Sequence, residues 1–421
     1  MTRIADHLSR AHEVVSRCQS LARFTEDPPR IFRTFLSPSM RACYRQIEDW
    51  MRPLGMTVTV DAAGNLHGLY PGTDGAARTL LIGSHLDTVR DAGAYDGILG
   101  VVLAISLIES LEGHRLPFAI EVVGLSEEEG VRFGVPFIGS RALVGRLDEE
   151  LLGLRDSKDV SVQEAILSYG LKPREIPAAT VRDEVLAYLE FHIEQGPVLE
   201  HRNLPLGVVE AIAGQTRMEL VFTGMANHAG TTPMALRRDA LVAAAEWALA
   251  VEQGAGEIPG LVATVGVLEA KPGATNVIAG QCRATLDVRH ASDTTRTEAM
   301  SAFLNSASEI ATRRNISLTS STKLVQAATR MDPFLVHEIE IAVSKARVTP
   351  YRMVSGAGHD AMILAEKVPS AMVFLRSPGG ISHNPDESVL VNDVAKAIEC
   401  GLHLLHQLAV SPRFQTRANR A

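Results

Sequence analysis

Histidine and carboxylate side chains follow an apolar, strand-like stretch near the start of this sequence. The segment LLIGSH ends in His85, with Asp87 two residues later and Asp96 eleven residues after His85. Imidazole and carboxylate groups at the end of a buried strand are either ordinary polar loop residues or ligands of a divalent metal ion. This segment alone leaves both interpretations open.

The same pattern recurs after three other strand-like segments. The run Glu127-Glu128-Glu129 follows FAIEVVGLS, His192 follows VLAYLEF, and His383 follows SAMVFLRSPGGIS. A glutamate run is most often a solvated helix start, and a single loop histidine usually has no function. Four such clusters at equivalent positions are improbable as accidents. Because ligands bind beyond the carboxyl ends of strands in an open α/β sheet, the four clusters together predict a metal site.

The side chains of the predicted site suit two divalent ions of the zinc or manganese type. Imidazole and carboxylate groups are ligands that these ions accept, and no cysteine is required. One carboxylate has two oxygens and can bridge two ions. A second carboxylate must not bind the ions, so that it can take a proton from water and pass it to a leaving nitrogen. Adjacent glutamates can divide these roles because successive side chains point in different directions.

Alternating strands and helices predict the fold that positions these clusters. From about 41 to 212 and again after 329, continuous apolar strands alternate with helices such as ILGVVLAISLIESLEG, which is apolar enough to be buried. This pattern predicts an α/β fold with a mostly parallel, doubly wound sheet.

The middle of the chain has a different order of elements. A strand, a helix, two strands, a helix and a strand are predicted between Arg217 and Val325, which is the βαββαβ order of ferredoxin-like domains. We therefore expect a discontinuous catalytic domain of residues 1–212 and 329–421, with an inserted domain of residues 213–328.

Composition excludes several classes of protein. Hydrophobic residues make up 46% and charged residues 21% of 421 residues, with a net charge of −8 and no basic stripe, so we expect no nucleic-acid partner. The longest apolar run is too short to cross a bilayer, and the N-terminus lacks the apolar core of a signal peptide. Four scattered cysteines fit a reducing compartment, so a cytoplasmic location without a membrane partner is expected.

Several long motifs resemble one family. GSHLDTV…YDG, EEEGVRFG…GSRALVG, HIEQGPVLE, NHAGTTPMALRRDA and GAGHDAM…GISHNPDE are similar, in register from about Arg33 to His406, to the amidase/carbamoylase branch of the M20 metallopeptidase-like enzymes. His192 favours this branch because peptidases of the wider family often carry an acid there. The resemblance implies hydrolysis of a ureido (carbamoyl) C–N bond of a small carboxylate, with release of ammonia and carbon dioxide.

The resemblance also assigns roles at the metal site. It implies that His85 and His192 bind one ion, that Glu129 and His383 bind the other, and that Asp96 bridges them. Glu128 is then the general base. Asp87 is expected to orient His85, an arrangement that metal-bound imidazoles usually need.

Further residues are implied to contact the substrate. His228 of the inserted domain is expected to stabilise the oxyanion, although a surface turn is the ordinary interpretation of its loop. The implied substrate-binding residues are Asn276, Arg289, Gly358, His359, Arg217 and Gln195. Arginine suits a bidentate grip on a carboxylate, although an arginine at a strand end is usually a surface charge. The family's inserted domain closes over substrate and forms a homodimer, so both properties are expected here.

The substrate within this branch is less sharply indicated. The segment IFRTFLSP and the motif GAGHDAM favour allantoate, with N-carbamoyl-L-amino acids or the substrate of a β-ureidopropionase as alternatives. An M20 aminopeptidase is disfavoured by His192, and a non-enzymatic binding protein would lack a ligand or the base, none of which is missing. The loop VRDAGAYDG departs from the family pattern at Arg90, Asp91 and Ala92, which puts its shape in doubt but not the His85-to-Asp96 spacing.

Overall fold

The chain divides into two compact units in the computed structural model, which describes residues 4–73 and 78–415. The first unit comprises Met1–Glu210, Met331–Met353 and Gly358–Ala421, and the second comprises Ala211–Arg330 and Val354–Ala357. The segment Val354–Ala357 therefore groups with the second unit, whereas the sequence analysis assigned it to the first. Among the described residues we find no helix with the length and apolarity that crossing a bilayer requires.

The secondary-structure elements are numbered in chain order. The strands are β1 (Thr57–Val60), β2 (Leu66–Tyr70), β3 (Thr79–His85), β4 (Ala119–Leu125), β5 (Val185–Ile193), β6 (Leu206–Ile212), β7 (Gly214–Thr223), β8 (Val262–Lys271), β9 (Gln281–His290), β10 (Ser317–Gln326), β11 (Thr329–Arg330), β12 (Arg352–Ser355) and β13 (Ser370–Leu375). The helices are α1 (Ile4–Leu21), α2 (Pro38–Met51), α3 (Ile98–Ser110), α4 (Ile138–Leu143), α5 (Glu149–Gly153), α6 (Val162–Tyr169), α7 (Val198–His201), α8 (Ala240–Gly256), α9 (Asp293–Arg313), α10 (Pro333–Lys345), α11 (Asp360–Leu364), α12 (Val391–Val410) and α13 (Pro412–Gln415).

The sheet of the first unit has a parallel centre. Its strands follow the order β1-β2-β4-β3-β5-β13-β6, in which β4, β3, β5 and β13 run parallel to one another. The flanking pairs β1–β2, β2–β4 and β13–β6 are antiparallel. The central strands and helix α3 are buried almost throughout, as expected for a sheet covered on both faces. The predicted α/β fold with a mostly parallel sheet is confirmed, and the antiparallel pairs lie outside its centre.

The second unit has the element order β7-α8-β8-β9-α9-β10 and an antiparallel sheet in the order β10-β7-β9-β8. Both helices pack on the sheet around Trp247, whose indole donates a hydrogen bond to the Phe303 carbonyl. Helix α8 begins at Ala240. The reason is the Asp239 side chain, which accepts hydrogen bonds from the amides of Leu241 and Val242 and so caps the helix there.

Candidate metal centre

The four predicted clusters lie together at the carboxyl ends of the parallel strands in the first unit. His85 ends β3, the glutamate run follows β4, His192 lies in β5, and His383 follows β13. Four groups of side chains there could each hold a metal ion, because their donor atoms lie within 4.8 Å of one another, and two of these groups contain Asp96. We call His85, His192 and Asp96 the inner set, and Glu129, His383 and Asp96 the outer set. Asp96 is common to both.

The two oxygens of Asp96 face different sets. Oδ1 lies 3.3 Å from His192 Nε2 and 3.9 Å from His85 Nε2, both of the inner set. Oδ2 lies 3.1 Å from His383 Nε2 of the outer set. Burial alone would raise the pKa of Asp96, but His383, His192 and His85 together lower it below its usual range. This carboxylate is therefore charged and placed as a bridge between two cations would be.

The inner histidines aim their Nε2 atoms at a common point. His85 Nδ1 donates to the Asp87 carbonyl at 3.0 Å, and His192 Nδ1 donates to the Ile193 carbonyl at 2.9 Å. In the neutral rings the Nε2 lone pairs then face each other across only 3.5 Å. A proton on one Nε2 or a cation between the two atoms satisfies both lone pairs, so this pair fits a metal site.

Gly97 allows the loop that carries Asp96 to pass close to His85. Its φ angle is +69°, a region that favours glycine, and a Cβ there would lie 2.5 Å from the His85 ring. A larger residue would displace either the ligand ring or the start of α3, so glycine is required beside the bridging aspartate.

The Asp87 carboxylate holds the two glutamates rather than His85. Oδ1 accepts the amide hydrogen of Glu128 and Oδ2 that of Glu129, each at 3.1 Å. Its nearest approach to His85 Nδ1 is 3.9 Å, and the carbonyl of Asp87 makes the bond to that ring. Asp87 therefore contacts the His85 ring through its main-chain carbonyl, while its side chain fixes the glutamate turn. The expected role of Asp87 in orienting His85 stays a prediction.

Glu128 is a buried carboxyl among other acids. Burial, with the neighbouring Glu129 and Asp360 carboxylates, raises the pKa of Glu128 well above its usual range. It also groups with His85 and Glu129 as a set of adjacent donor atoms. A carboxyl held in this way keeps a proton more readily than a solvated one, as a proton shuttle must.

Gln195 contacts the bridging residue. Its Nε2 donates to Asp96 Oδ1 at 3.0 Å and to Ser382 Oγ at 3.2 Å. Gln195 has a φ of +58° and His383 a φ of +53°, conformations that non-glycine residues seldom adopt. Strained residues of this kind cluster at functional sites. The substrate role expected for Gln195 stays a prediction, since the contact observed is to a ligand.

His359 is buried beside the inner set. Its ring packs edge to face on His192, with 4.4 Å between ring centroids, and on Phe374 at 5.5 Å. Gly358 precedes it, and a Cβ there would lie 3.0 Å from the Phe137 ring. The expected substrate contacts of these residues stay predictions. Nearby, Glu190 accepts hydrogen bonds from Ser84 Oγ and the Ala361 amide, which no sequence signal indicated.

The unusual loop residues Arg90 and Asp91 face the segment that precedes α2. Arg90 pairs with Asp27 at 2.5 Å and lies over the Phe32 ring, and Asp91 pairs with Arg30 at 3.9 Å. These charges are largely exposed, so they contribute little stability. They lie on the same loop as Asp96 but contact no metal-binding side chain.

In the second unit, His228 and Asn276 lie on adjacent loops. The Ala229 amide donates to the Asn276 carbonyl at 2.9 Å, and His228 forms a β-bridge with Val277. His228 is exposed, and its Nδ1 accepts the amide hydrogen of Gly230 at 3.1 Å. The neutral ring therefore carries its proton on Nε2, where it is available as a donor.

Arg289 and Arg217 both contact Asp287. Arg289 binds the two Asp287 oxygens at 2.9 and 3.0 Å and the Gly356 carbonyl at 2.7 Å, while Arg217 binds Asp287 at 2.8 Å. Asp287 and Arg289 also line a cavity of about 480 Å³. Asp287 thus occupies the Nε/Nη2 edge of the Arg289 guanidinium, and the Gly356 carbonyl occupies one N–H of Nη1. One N–H on each of Nη1 and Nη2 is left for a substrate carboxylate.

Residues 81–407 match the model of the peptidase family M20/M25/M40. The chain belongs to this family. It is 38% identical to a probable allantoate deiminase of Oryza sativa subsp. japonica, over 96% of this chain and 90% of that protein. It is 39% identical to an N-carbamoyl-L-amino acid amidohydrolase of Geobacillus stearothermophilus, over 86% and 90% of the two chains.

A solved structure extends this similarity to the fold. The crystal structure of a hydantoinase/carbamoylase-family amidase from Burkholderia multivorans matches with a TM-score of 0.90 and 31% identity, over 96% of this chain and 98% of that one. The family resemblance inferred from the motifs is therefore confirmed.

Proposed function

We propose that this M20-family chain is a metal-dependent hydrolase that cleaves a ureido C–N bond of a small carboxylate. The observation that carries the proposal is the position of Asp96, whose two oxygens face two separate sets of metal-binding side chains. Relatives named allantoate deiminase and N-carbamoyl-L-amino acid amidohydrolase support the reaction class.

The cofactors we propose are two divalent ions, Zn²⁺ or Mn²⁺, one in each set, with Asp96 in common. When bound, such ions polarise a carbonyl oxygen and lower the pKa of water. Glu128 takes the proton of the attacking water and delivers it to the leaving nitrogen. Asp87 keeps Glu128 in place through the amide hydrogen bonds described above.

The second unit supplies polar groups for the substrate. His228 Nε2 donates a hydrogen bond to the oxygen that becomes negative in the transition state, which is typically worth 10²- to 10³-fold in rate (about 3–4 kcal/mol). Asn276 binds the ureido group, and Arg289 binds the carboxylate through its remaining N–H groups. Arg217 acts on Arg289 through their shared partner Asp287.

The length of β9 supports the proposal of a homodimer. His228 and Asn276 lie before its first residue, whereas Arg289 lies near its last, so the strand separates them by about 26 Å at roughly 3.3 Å per residue. A small ureido carboxylate cannot span that length, so one copy of the second unit cannot offer both groups to one substrate. We propose that the two groups serve different active sites, which requires two chains.

Exposed apolar residues of the second unit support an interface between copies. Helix α8 exposes Leu241, Val242 and Leu249, and the edge strand β8 exposes Val262 and Leu268. Apolar patches and unpaired strand edges mark sites of association.

Complementation tests the dimer. In a mixed dimer of Glu128→Gln and His228→Ala chains, one site holds an intact Glu128 and receives His228 from the partner. If His228 acts across the dimer, random mixing of the two inactive variants restores about a quarter of the wild-type activity. No restored activity would mean that His228 acts within its own chain.

Allantoate is the substrate we propose, with N-carbamoyl-L-amino acids as the second candidate. The test offers allantoate, N-carbamoyl-L-methionine and N-carbamoyl-β-alanine to the Mn²⁺- or Zn²⁺-loaded enzyme and measures ammonia. Turnover of the carbamoyl amino acid without ammonia from allantoate would overturn the first choice. Release of amino acids from dipeptides alone would instead support the aminopeptidase alternative. Because all four cysteines are free and buried, we propose a reducing, cytoplasmic location.

A further inference from the structure

Glu387 connects the loops that carry Asp96 and His383. Its side chain is only 6% exposed, and Oε1 accepts the amide hydrogens of Tyr95 at 2.9 Å and Asp96 at 3.0 Å. Oε2 accepts a hydrogen bond from Ser382 Oγ at 3.1 Å. One buried carboxylate thus contacts the bridging residue on one side and the neighbour of His383 on the other.

These contacts form a closed ring of hydrogen bonds. Gln195 Nε2 donates to Asp96 Oδ1 and to Ser382 Oγ, Ser382 donates to Glu387, and Glu387 accepts from the Asp96 amide. Asp96 is therefore held at its side chain by Gln195 and at its main chain by Glu387, with Ser382 linking the two.

Close packing restricts the movement of these hydrogen-bonded side chains. A Cβ on Gly93 would lie 2.3 Å from the Glu387 Cβ, so the loop before Asp96 lies directly against this side chain. Glu387 also closes its own turn, because its amide donates to the Asn384 carbonyl at 3.0 Å. The carboxylate thus ties the Asp96 loop to the turn that follows His383.

We infer that Glu387 is a positioning residue, which sets the distance between Asp96 and His383 and thereby the affinity for the ion of the outer set. This inference rests on the proposed metal-dependent function. The inner histidines lie in strands and are oriented by main-chain carbonyls one or two residues further along the chain. Among the described residues no carbonyl is found in such a contact with the His383 ring, and the His383 side chain is 48% exposed, so the outer set depends more on Glu387.

Variants with matched controls test this inference. Glu387→Ala removes all three acceptor contacts, Glu387→Gln keeps an acceptor for the amides but no acceptor for Ser382, and Ser382→Ala breaks the ring elsewhere. Asp332→Ala and Ser110→Ala remove a helix-capping carboxylate and a buried hydroxyl that contact neither ligand loop. The readouts are Mn²⁺ ions bound per chain, the dissociation constant of each ion by calorimetry, and the melting temperature.

We expect Glu387→Ala to weaken the binding of one of the two ions by about 10- to 100-fold, with smaller losses for Glu387→Gln and Ser382→Ala and none for the controls. Affinities equal to wild type in a folded Glu387→Ala variant would overturn the inference. If that variant does not fold, unchanged affinities in both Glu387→Gln and Ser382→Ala would overturn it. A wild-type protein that binds fewer than two ions would instead contradict the proposed function.

Discussion

The inner and outer sets differ in how the fold supports them. His85 and His192 lie in neighbouring buried strands, are at most 3% exposed at the side chain, and each donates from Nδ1 to a carbonyl. His383 lies in a loop eight residues after β13, in a strained conformation and with a half-exposed side chain. The sheet therefore positions the side chains of the inner set, whereas contacts between loops position those of the outer set. Asp96 couples the two.

Removal of Asp96 should affect both metal-binding sets, because they share this residue. We expect Asp96→Ala to lose both ions and to show only background turnover. Metal analysis of the dialysed protein measures the first effect, and ammonia release the second. Retention of two ions would show that Asp96 is not the bridge.

Glu128 is expected to belong to neither set. Glu128→Gln keeps the shape of the side chain but removes the proton carrier, so turnover should fall by about 10²- to 10⁴-fold while two ions stay bound. The parallel measurements are kcat and metal content. If metal is lost together with activity, Glu128 is a ligand and the division of roles between Glu128 and Glu129 is wrong.

Removal of His383 separates the two sets. His383→Ala should bind one ion per chain instead of two, because the inner histidines keep their orientation. Activity should fall by more than the roughly 10- to 100-fold that loss of a supporting partner causes. Calorimetric titration with Mn²⁺ counts the ions, and loss of both would mean that the inner set cannot hold an ion alone.

Asp87 contacts both glutamates and thus supports a ligand and the base together. In Asp87→Asn the amide group replaces one acceptor, which leaves one buried N–H unpaired at a cost of about 1–3 kcal/mol. We expect a lower melting temperature and a roughly 10- to 100-fold loss of activity. An unchanged melting temperature would contradict the buried hydrogen bonds on which this expectation depends.

The two sets should also differ in the number of protons that are released when an ion binds. In the outer set, the contact with Asp96 raises the pKa of His383 to about 9, and burial raises that of Glu129 to about 7. In the inner set, burial lowers the pKa of His192 to about 4, while nearby carboxylates overcome burial and raise that of His85 to about 9.

Because protons must leave before a cation binds, affinity rises as the pH increases through these values. We expect the steeper rise for the outer ion, since it displaces protons from two groups rather than one. Calorimetry in buffers of different ionisation enthalpy, at several pH values from about 6 to 9, measures this release. Equal slopes for the two ions would contradict the expectation.

The sequence predicted what depends on local pattern. Apolar periodicity located the parallel strands, and the polar residues after them predicted which side chains lie together. Contacts between segments that are far apart in the sequence leave no such local pattern. Nothing in the sequence links Asp87 to the amides of Glu128 and Glu129, or Glu387 to the amide of Asp96. Glu387 does lie in the quoted motif GISHNPDE, four residues after His383, and its place there was the one available hint.

Pairing between residues of one strand explains a second difference. Arg289 was expected to bind a substrate carboxylate, yet Asp287 lies two residues before it on the same strand and occupies one edge of its guanidinium. Residues two apart in a strand share a face of the sheet, so this pairing was in principle predictable.

The shared position of Asp96 is tested most directly by an anomalous difference map from crystals of the Mn²⁺-loaded protein. We predict two peaks on opposite sides of the Asp96 carboxylate, one contacted by His85 and His192 and the other by Glu129 and His383. A single peak, or two peaks without Asp96 between them, would contradict the account.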